Sequence, residues 1–182
     1  MNLHFDFTQS ATRESILSQI QAHLDAETVE RVHALAQQAP FEKEHYHDMD
    51  EVTAAIYALP VSVRVQDEMF LVYGLLAQAE ARVHGTSVAK THFHEVGRAE
   101  GLRNVLEVCL PMEALAPELV SATAVQTGSG KILCAHGEMD IPAPATKVIL
   151  DSGIPVCEEK LEGELCTPTS AAMIKHFVRA FS

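Results

Sequence analysis

The sequence has no tryptophan, and aromatic residues make up 5% of its 182 positions, so its core must be built mainly from aliphatic side chains. Its cysteines, Cys109, Cys134, Cys157 and Cys166, form no Cys-x-x-Cys pair. They lie far apart, and reduced cytosolic thiols are the expectation. Positive charge is scarce: 13 Lys and Arg against 25 Asp and Glu give a net charge of −12, and no basic run occurs. This balance argues against a nucleic-acid partner and against an anionic membrane surface. No apolar run approaches the roughly 20 residues of a membrane span. The opening MNLHFDF lacks the basic start and apolar stretch of a secretory leader, so a cytoplasmic protein is expected. Internal repeats and low-complexity tracts are lacking too. The length and the 47% hydrophobic content fit one domain with a sizeable core.

Histidine, by contrast, is plentiful, with ten residues in the chain, and several are clustered. The segment Thr91–Gly97, THFHEVG, packs His92, His94 and Glu95 into four consecutive positions. Just upstream, Glu80 and His84 stand at i and i+4 on a predicted helix and so share one face. If the 91–97 segment is extended, His92 and His94 share a face as well. Imidazole with carboxylate suits a borderline divalent metal and equally suits proton transfer near neutral pH. Simpler readings stand beside these: a short His-x-His-Glu run also arises by chance, and histidines near helix ends often only cap carbonyls. His45 and His47, in the acidic linker FEKEHYHDMDE (41–51), read as a surface pair rather than as ligands.

The hydropathy pattern predicts a first strand over 2–7 with Leu3, Phe5 and Phe7 on one face. A helix capped by Thr8 or Ser10 follows, carrying Ile16, Leu17, Ile20 and Leu24. A second helix over Ala26–Gln38 turns Val29, Val32, Leu35 and Ala36 inward. Asp48 caps a short helix over Val52–Leu59. The longest helical pattern runs from Val63 to His84, with Val65, Met69, Val72, Leu75, Leu76, Ala79 and Val83 inward and Gly85 as its stop. Ala99–Leu115 forms another, either ending near Leu110 or kinked at Pro111. The texture then turns β-rich: LVSATAVQTGSG (119–130) and KILCAHGEMDIP are expected to form a hairpin. TGSGK fails the phosphate-loop pattern, because Val125 stands where its first glycine belongs and Ile132 where its hydroxyl residue belongs; its glycines read as turn residues. A short helix near Ala145, a buried strand in GIPVCEE and a final helix capped by Thr167 or Thr169, with Pro168 in its first turn, complete the chain. A helix-rich N-terminal two thirds and a mixed strand/helix C-terminal third make a single α/β (α+β) domain.

Four segments, LAQAEARVHG (76–85), THFHEVG (91–97), CAHGEMDIPAPAT (134–146) and GELCTPTSAA (163–172), resemble the LarC-type nickel insertion proteins in order and spacing. The resemblance covers about 45–182, more weakly through HYHDMDEV, and residues 1–44 are the most divergent part. It implies insertion of nickel into a pyridinium bis-thiocarboxylate mononucleotide, coupled to CTP hydrolysis. It marks Glu80, His84, His92, His94, Glu95 and His136 as metal-handling candidates, and Asp6, Thr167 and Thr169 as contacts to the mononucleotide. The chain departs from the family pattern in three ways. FDFTQSATRES replaces a glycine-rich stretch, Glu100 and Asn104 stand where two aspartates are usual, and the 182 residues include no stretch resembling the C-terminal CTP-binding module. The resemblance therefore implies part of a nickel chelatase that does not itself bind CTP and works with a separate CTP-binding partner, with a homo-oligomer left open. The other reading is a non-catalytic metal- or nucleotide-binding module, or an oligomerisation scaffold, derived from that family.

Overall fold

The computed structural model describes residues 1–134 and 137–182, with the backbone alone at Cys134. Strand β1 (Asn2–Phe5) opens the chain, and Leu3, Phe5 and Phe7 are all buried, as alternation along an extended segment requires. Helix α1 (Arg13–Gln21) is capped by Thr12, whose side chain accepts from Ser15 N–H, rather than by Thr8 or Ser10. Thr8 is instead committed to Asp6, donating its N–H and its hydroxyl to Asp6 Oδ1. Helix α2 (Ala26–Gln37) starts at Asp25 and buries Val32 and Ala36, but Leu35, expected inward, is 44% exposed. Because α2 packs on α5 alone among the helices with substantial contacts, it covers a narrower stripe than its sequence pattern offers.

Helix α3 (Met49–Tyr57) begins at the predicted Asp48 cap. Helix α4 (Val63–Val83) is the 21-residue spine of the molecule, touching α3, α5, α6 and α7. Val65, Met69, Val72, Leu76 and Ala79 are buried along it, Leu75 is half-buried, and Val83 at its end is 37% exposed. Gly85 adopts φ +62° and lets Thr86 N–H reach the Ala81 carbonyl at 2.9 Å, closing the last turn as the sequence predicts. Helix α5 (Ala99–Leu115) passes through Pro111 and stops only at Ala116, which has φ +44°. Burial of Leu110 and Met112 on either side holds the helix together across the one missing N–H.

The main sheet is parallel: β2 (Leu119–Ala122) lies between β1 and β7 (Ala180–Phe181). The five helices between β1 and β2 provide the crossover that a parallel pair needs. The hairpin expected between 119–130 and the next run does not form, because both edges of β2 are already taken. Instead β3 (Gly128–Ser129) pairs with β6 (Gly163–Glu164), and β4 (Lys131–Cys134) pairs antiparallel with β5 (Gly137–Asp140). Of the glycines of TGSGK, Gly130 (φ +105°) sits in the bend between β3 and β4, as expected, whereas Gly128 (φ +82°) lies inside β3, where a Cβ would come within 1.8 Å of the Gly163 carbonyl oxygen. GIPVCEE is not a strand. It meets Val125 through one isolated bridge at Val156, which is 43% exposed, and Pro155 has no N–H for a ladder. Helix α6 (Pro144–Leu150) and helix α7 (Pro168–Phe177) pack together and on α4. The fold is mixed α/β with helix predominating. Among the described residues no helix is long and apolar enough to cross a membrane.

Candidate functional site

A cleft of about 670 Å³ opens where the end of α4 meets the first turns of four other helices. This volume lies within the range of small-molecule sites. Helix α4 supplies Glu80, Val83 and His84, and the segment after it supplies His94, Glu95 and Val96. Thr12, Arg13 and Glu14 enter from the start of α1, and Arg98, Glu100 and Asn104 from that of α5. The paired strands β4 and β5 add Ile132, Leu133 and Met139. Ala143 and Pro144 enter at the head of α6, and Glu164, Thr167 and Thr169 come from the approach to α7.

Local sequence explains the placement. On α4, Glu80 Oε2 and His84 Nε2 stand 3.4 Å apart, as i,i+4 neighbours on one face. Beyond the Gly85 stop and a 3₁₀ turn at Val88–Lys90, buried Phe93 packs edge-on against Tyr73 of α4, ring centroids 5.9 Å apart. Tyr73 in turn donates its hydroxyl to the Val96 carbonyl at 2.8 Å. The chain bends at His94 instead of running on as a strand. His94 therefore comes beside His84, with ring centroids 5.9 Å apart, and His92 does not join the lining.

Of the residues predicted from sequence, the fold gathers Glu80, His84, His94, Glu95, Thr167 and Thr169 into one cleft. Asp6 and His92 are not in its lining; Asp6 holds the Thr8 turn, whose two hydrogen bonds keep its carboxyl below the ordinary range. His136 lies outside the described residues. Thr167 caps α7: its Oγ1 accepts from Ser170 N–H at 3.2 Å while Ser170 Oγ accepts from Thr167 N–H at 2.8 Å, a reciprocal capping box. Among the described residues, no group of three or more His, Cys, Asp or Glu side chains is arranged to hold a metal ion as it stands.

Sequence reasoning missed Arg13, Glu14, Arg98 and Glu164. Glu164 had one usable signal, its place three residues ahead of Thr167 in GELCTPT; Arg13 and Arg98 had none. Arg13 is held from behind by the buried Glu107, which also accepts from Gln37 Nε2 at 2.7 Å. The lining carries Glu14, Glu80, Glu95, Glu100 and Glu164 against Arg13 and Arg98. Such an excess of carboxylates raises the local concentration of cations. Val83, Ile132, Leu133, Met139 and Pro168 add apolar surface suited to a flat ring.

Burial, with the nearby Glu95 charge adding to it, raises the pKa of Glu164. The raised value means that ionised Glu164 opposes folding above its own pKa and that the penalty fades on acidification. In metal-free protein, Glu164→Gln is expected to raise the melting temperature at pH 7, with the gain vanishing as the pH falls below the ordinary glutamate range. A pH series of thermal melts checks this.

A family model described as "Nickel insertion protein" matches residues 2–182. The chain belongs to the nickel insertion protein family. It is similar, at 32% identity over 182 residues, to a "pyridinium-3,5-bisthiocarboxylic acid mononucleotide nickel insertion protein" of Staphylococcus epidermidis, covering 100% of this chain and 46% of the relative. Proteins of the same description in Staphylococcus saprophyticus and Desulfitobacterium hafniense are 35% and 34% identical, covering 87% and 75% of this chain and 41% and 34% of their own lengths. The chain thus spans less than half the length of these curated relatives. No solved structure matches it. The four segments that carry the family resemblance each bring residues to the cleft: 76–85 ends α4, 91–97 bends beside it, 134–146 leads through β5 into α6, and 163–172 enters α7.

Proposed function

We propose that this chain binds nickel as cargo and a pyridinium bis-thiocarboxylate mononucleotide as substrate in this one cleft, forming part of a nickel insertion machine. The observation that carries the reading is the convergence of Glu80 and His84 from α4 with His94 and Glu95 from the bend after it. His84 and His94 supply imidazole nitrogen, and Glu80 and Glu95 carboxylate oxygen, a donor set that suits nickel. These ligands exchange more readily than a set of thiolates, as delivery of an ion demands. Among the cysteines with described side chains, Cys109 and Cys166 are buried, and burial raises their pKa values, that of Cys166 to about 12, so neither supplies a thiolate.

The apolar side of the cleft accepts the heteroaromatic ring, and the capped start of α7 faces the same space, favouring a phosphate there. Thr169 rather than Thr167 offers its hydroxyl, since Thr167 is committed to the cap. CTP handling belongs to a separate polypeptide or to the part of the relatives that this chain does not span.

Calorimetric titration with Ni²⁺ tests the reading. The His84→Ala/His94→Ala variant is expected to lose cleft binding by about a hundredfold or more, since even supporting residues around a metal site are worth about 10–100-fold. Unchanged binding in that variant would place nickel elsewhere.

A further inference from the structure

We infer that His45 and His47 form a second, two-imidazole site for a divalent cation of the nickel–zinc class, outside the cleft lining and one residue's backbone away from His94. By spacing alone these histidines read as a surface pair; their geometry is more specific than that.

The linker that carries them is pinned. Ala99 N–H donates to the Glu44 carbonyl at 2.9 Å, Tyr46 N–H to the Gly97 carbonyl at 2.7 Å, and Phe93 N–H to the His47 carbonyl at 2.7 Å. Tyr46 is buried between the two histidines, so in this extended stretch His45 and His47 fall on the same outward side. Their rings lie with centroids 4.4 Å apart and their Nδ1 atoms 3.0 Å apart. The far nitrogen of His45, Nε2, meets the His94 carbonyl. A carbonyl only accepts, so Nε2 carries the hydrogen, and neutral His45 presents a lone pair at Nδ1. Metal-binding histidines are commonly oriented in this way, by a carbonyl on the other ring nitrogen.

Without metal, one hydrogen between the two Nδ1 atoms satisfies both. With metal, bonds of about 2.0–2.1 Å to each nitrogen span a 3.0 Å separation as adjacent positions of one coordination shell. The proton on His47 Nδ1 then passes through water to His47 Nε2, so binding to the neutral pair consumes and releases nothing beyond hydration water. The linker around the pair carries Glu42, Glu44, Asp48, Asp50 and Glu51 against the single cation Lys43, and Glu51 accepts from His47 N–H at 2.8 Å; this acidic balance draws divalent ions to it. Two protein ligands leave the remaining positions to water, so bound metal exchanges. Its place beside His94 makes the pair a loading site for the cleft, and this role, unlike the site itself, rests on the function proposed above.

The test is calorimetry with Ni²⁺ alone on four proteins: wild type, His47→Ala, His45→Ala/His47→Ala and His84→Ala/His94→Ala. His47→Ala leaves the His45–His94 contact in place and so removes one ligand without disturbing the bend. Wild type is expected to show two binding events. His47→Ala should weaken one by at least about tenfold and leave the other unchanged, and His84→Ala/His94→Ala should do the reverse. If His47→Ala and the His45/His47 double variant, both shown folded by circular dichroism, keep the wild-type isotherm, the second site does not exist. A loss confined to the His84/His94 variant overturns this inference and leaves the cleft reading standing; a loss confined to the His45/His47 variants upholds the site and removes the cleft as its destination.

Discussion

Gly97→Ala is expected to unfold the candidate site and cost the protein about 3 kcal/mol, the upper end of what forced overpacking usually costs. A Cβ on Gly97 would lie 2.0 Å from the Tyr46 carbonyl oxygen and 2.8 Å from Phe93 Cβ. The first neighbour is backbone and cannot swing aside. Tyr46 is itself joined to Gly97 by the hydrogen bond that clips the linker to the bend, so relieving the clash means parting the two segments. His94 and the His45–His47 pair stand on those segments. The substitution should therefore lower the melting temperature by roughly 6–12 °C at the usual sensitivity of about 2–4 °C per kcal/mol for a chain this size, and weaken nickel binding with it. Gly74→Ala is the control: nothing lies within 4 Å of its Cβ position inside α4, so it should be neutral or stabilise by about 0.5–1 kcal/mol. Thermal melts of the two variants decide the point.

Arg13→Ala is expected to cost about 3 kcal/mol for a different reason. Glu107 has a side chain only 6% exposed and pairs with Arg13, which is itself 28% exposed. Removing the arginine leaves a buried carboxylate with a hydrogen bond from Gln37 and His33 Nδ1 3.9 Å away, and breaking a buried pair from one side costs about 3–5 kcal/mol. The pair ties α1 to α5, and Arg13 lines the cleft, so the loss should reach the site as well. Replacing both partners by leucine should recover most of the stability, since a buried pair exchanged for apolar groups is often neutral; Gln37, exposed, can turn to water. Urea unfolding of the single and double variants measures both effects. A single variant as stable as wild type would mean that the pair contributes little.

Elements set by local chemistry were legible in the sequence: the α4 stripe and its Gly85 stop, the Asp48 cap, the Thr167 cap with Pro168 behind it. So was the side of the cleft nearest α4, because Glu80 and His84 are helical neighbours and His94 follows a few residues after the helix ends. Elements set by distant partners were not. The Arg13–Glu107 pair joins residues 94 apart in sequence, and β7 is two residues long, existing only because β2 offers it an edge. Leu35 and Val83 carry the right periodicity yet stay exposed, because no neighbour covers the whole stripe. The separation of His92 from His94 turned on a bend that no spacing rule encodes; Phe93, drawn into the core against Tyr73, is its physical cause.

The most direct test of the account is anomalous diffraction at the nickel absorption edge from crystals grown with Ni²⁺. A nickel peak is expected in the cleft within about 2.0–2.2 Å of His84 and His94 ring nitrogens, the usual bond lengths of divalent metals to histidine. Nickel bound to the protein with no peak in the cleft would contradict it.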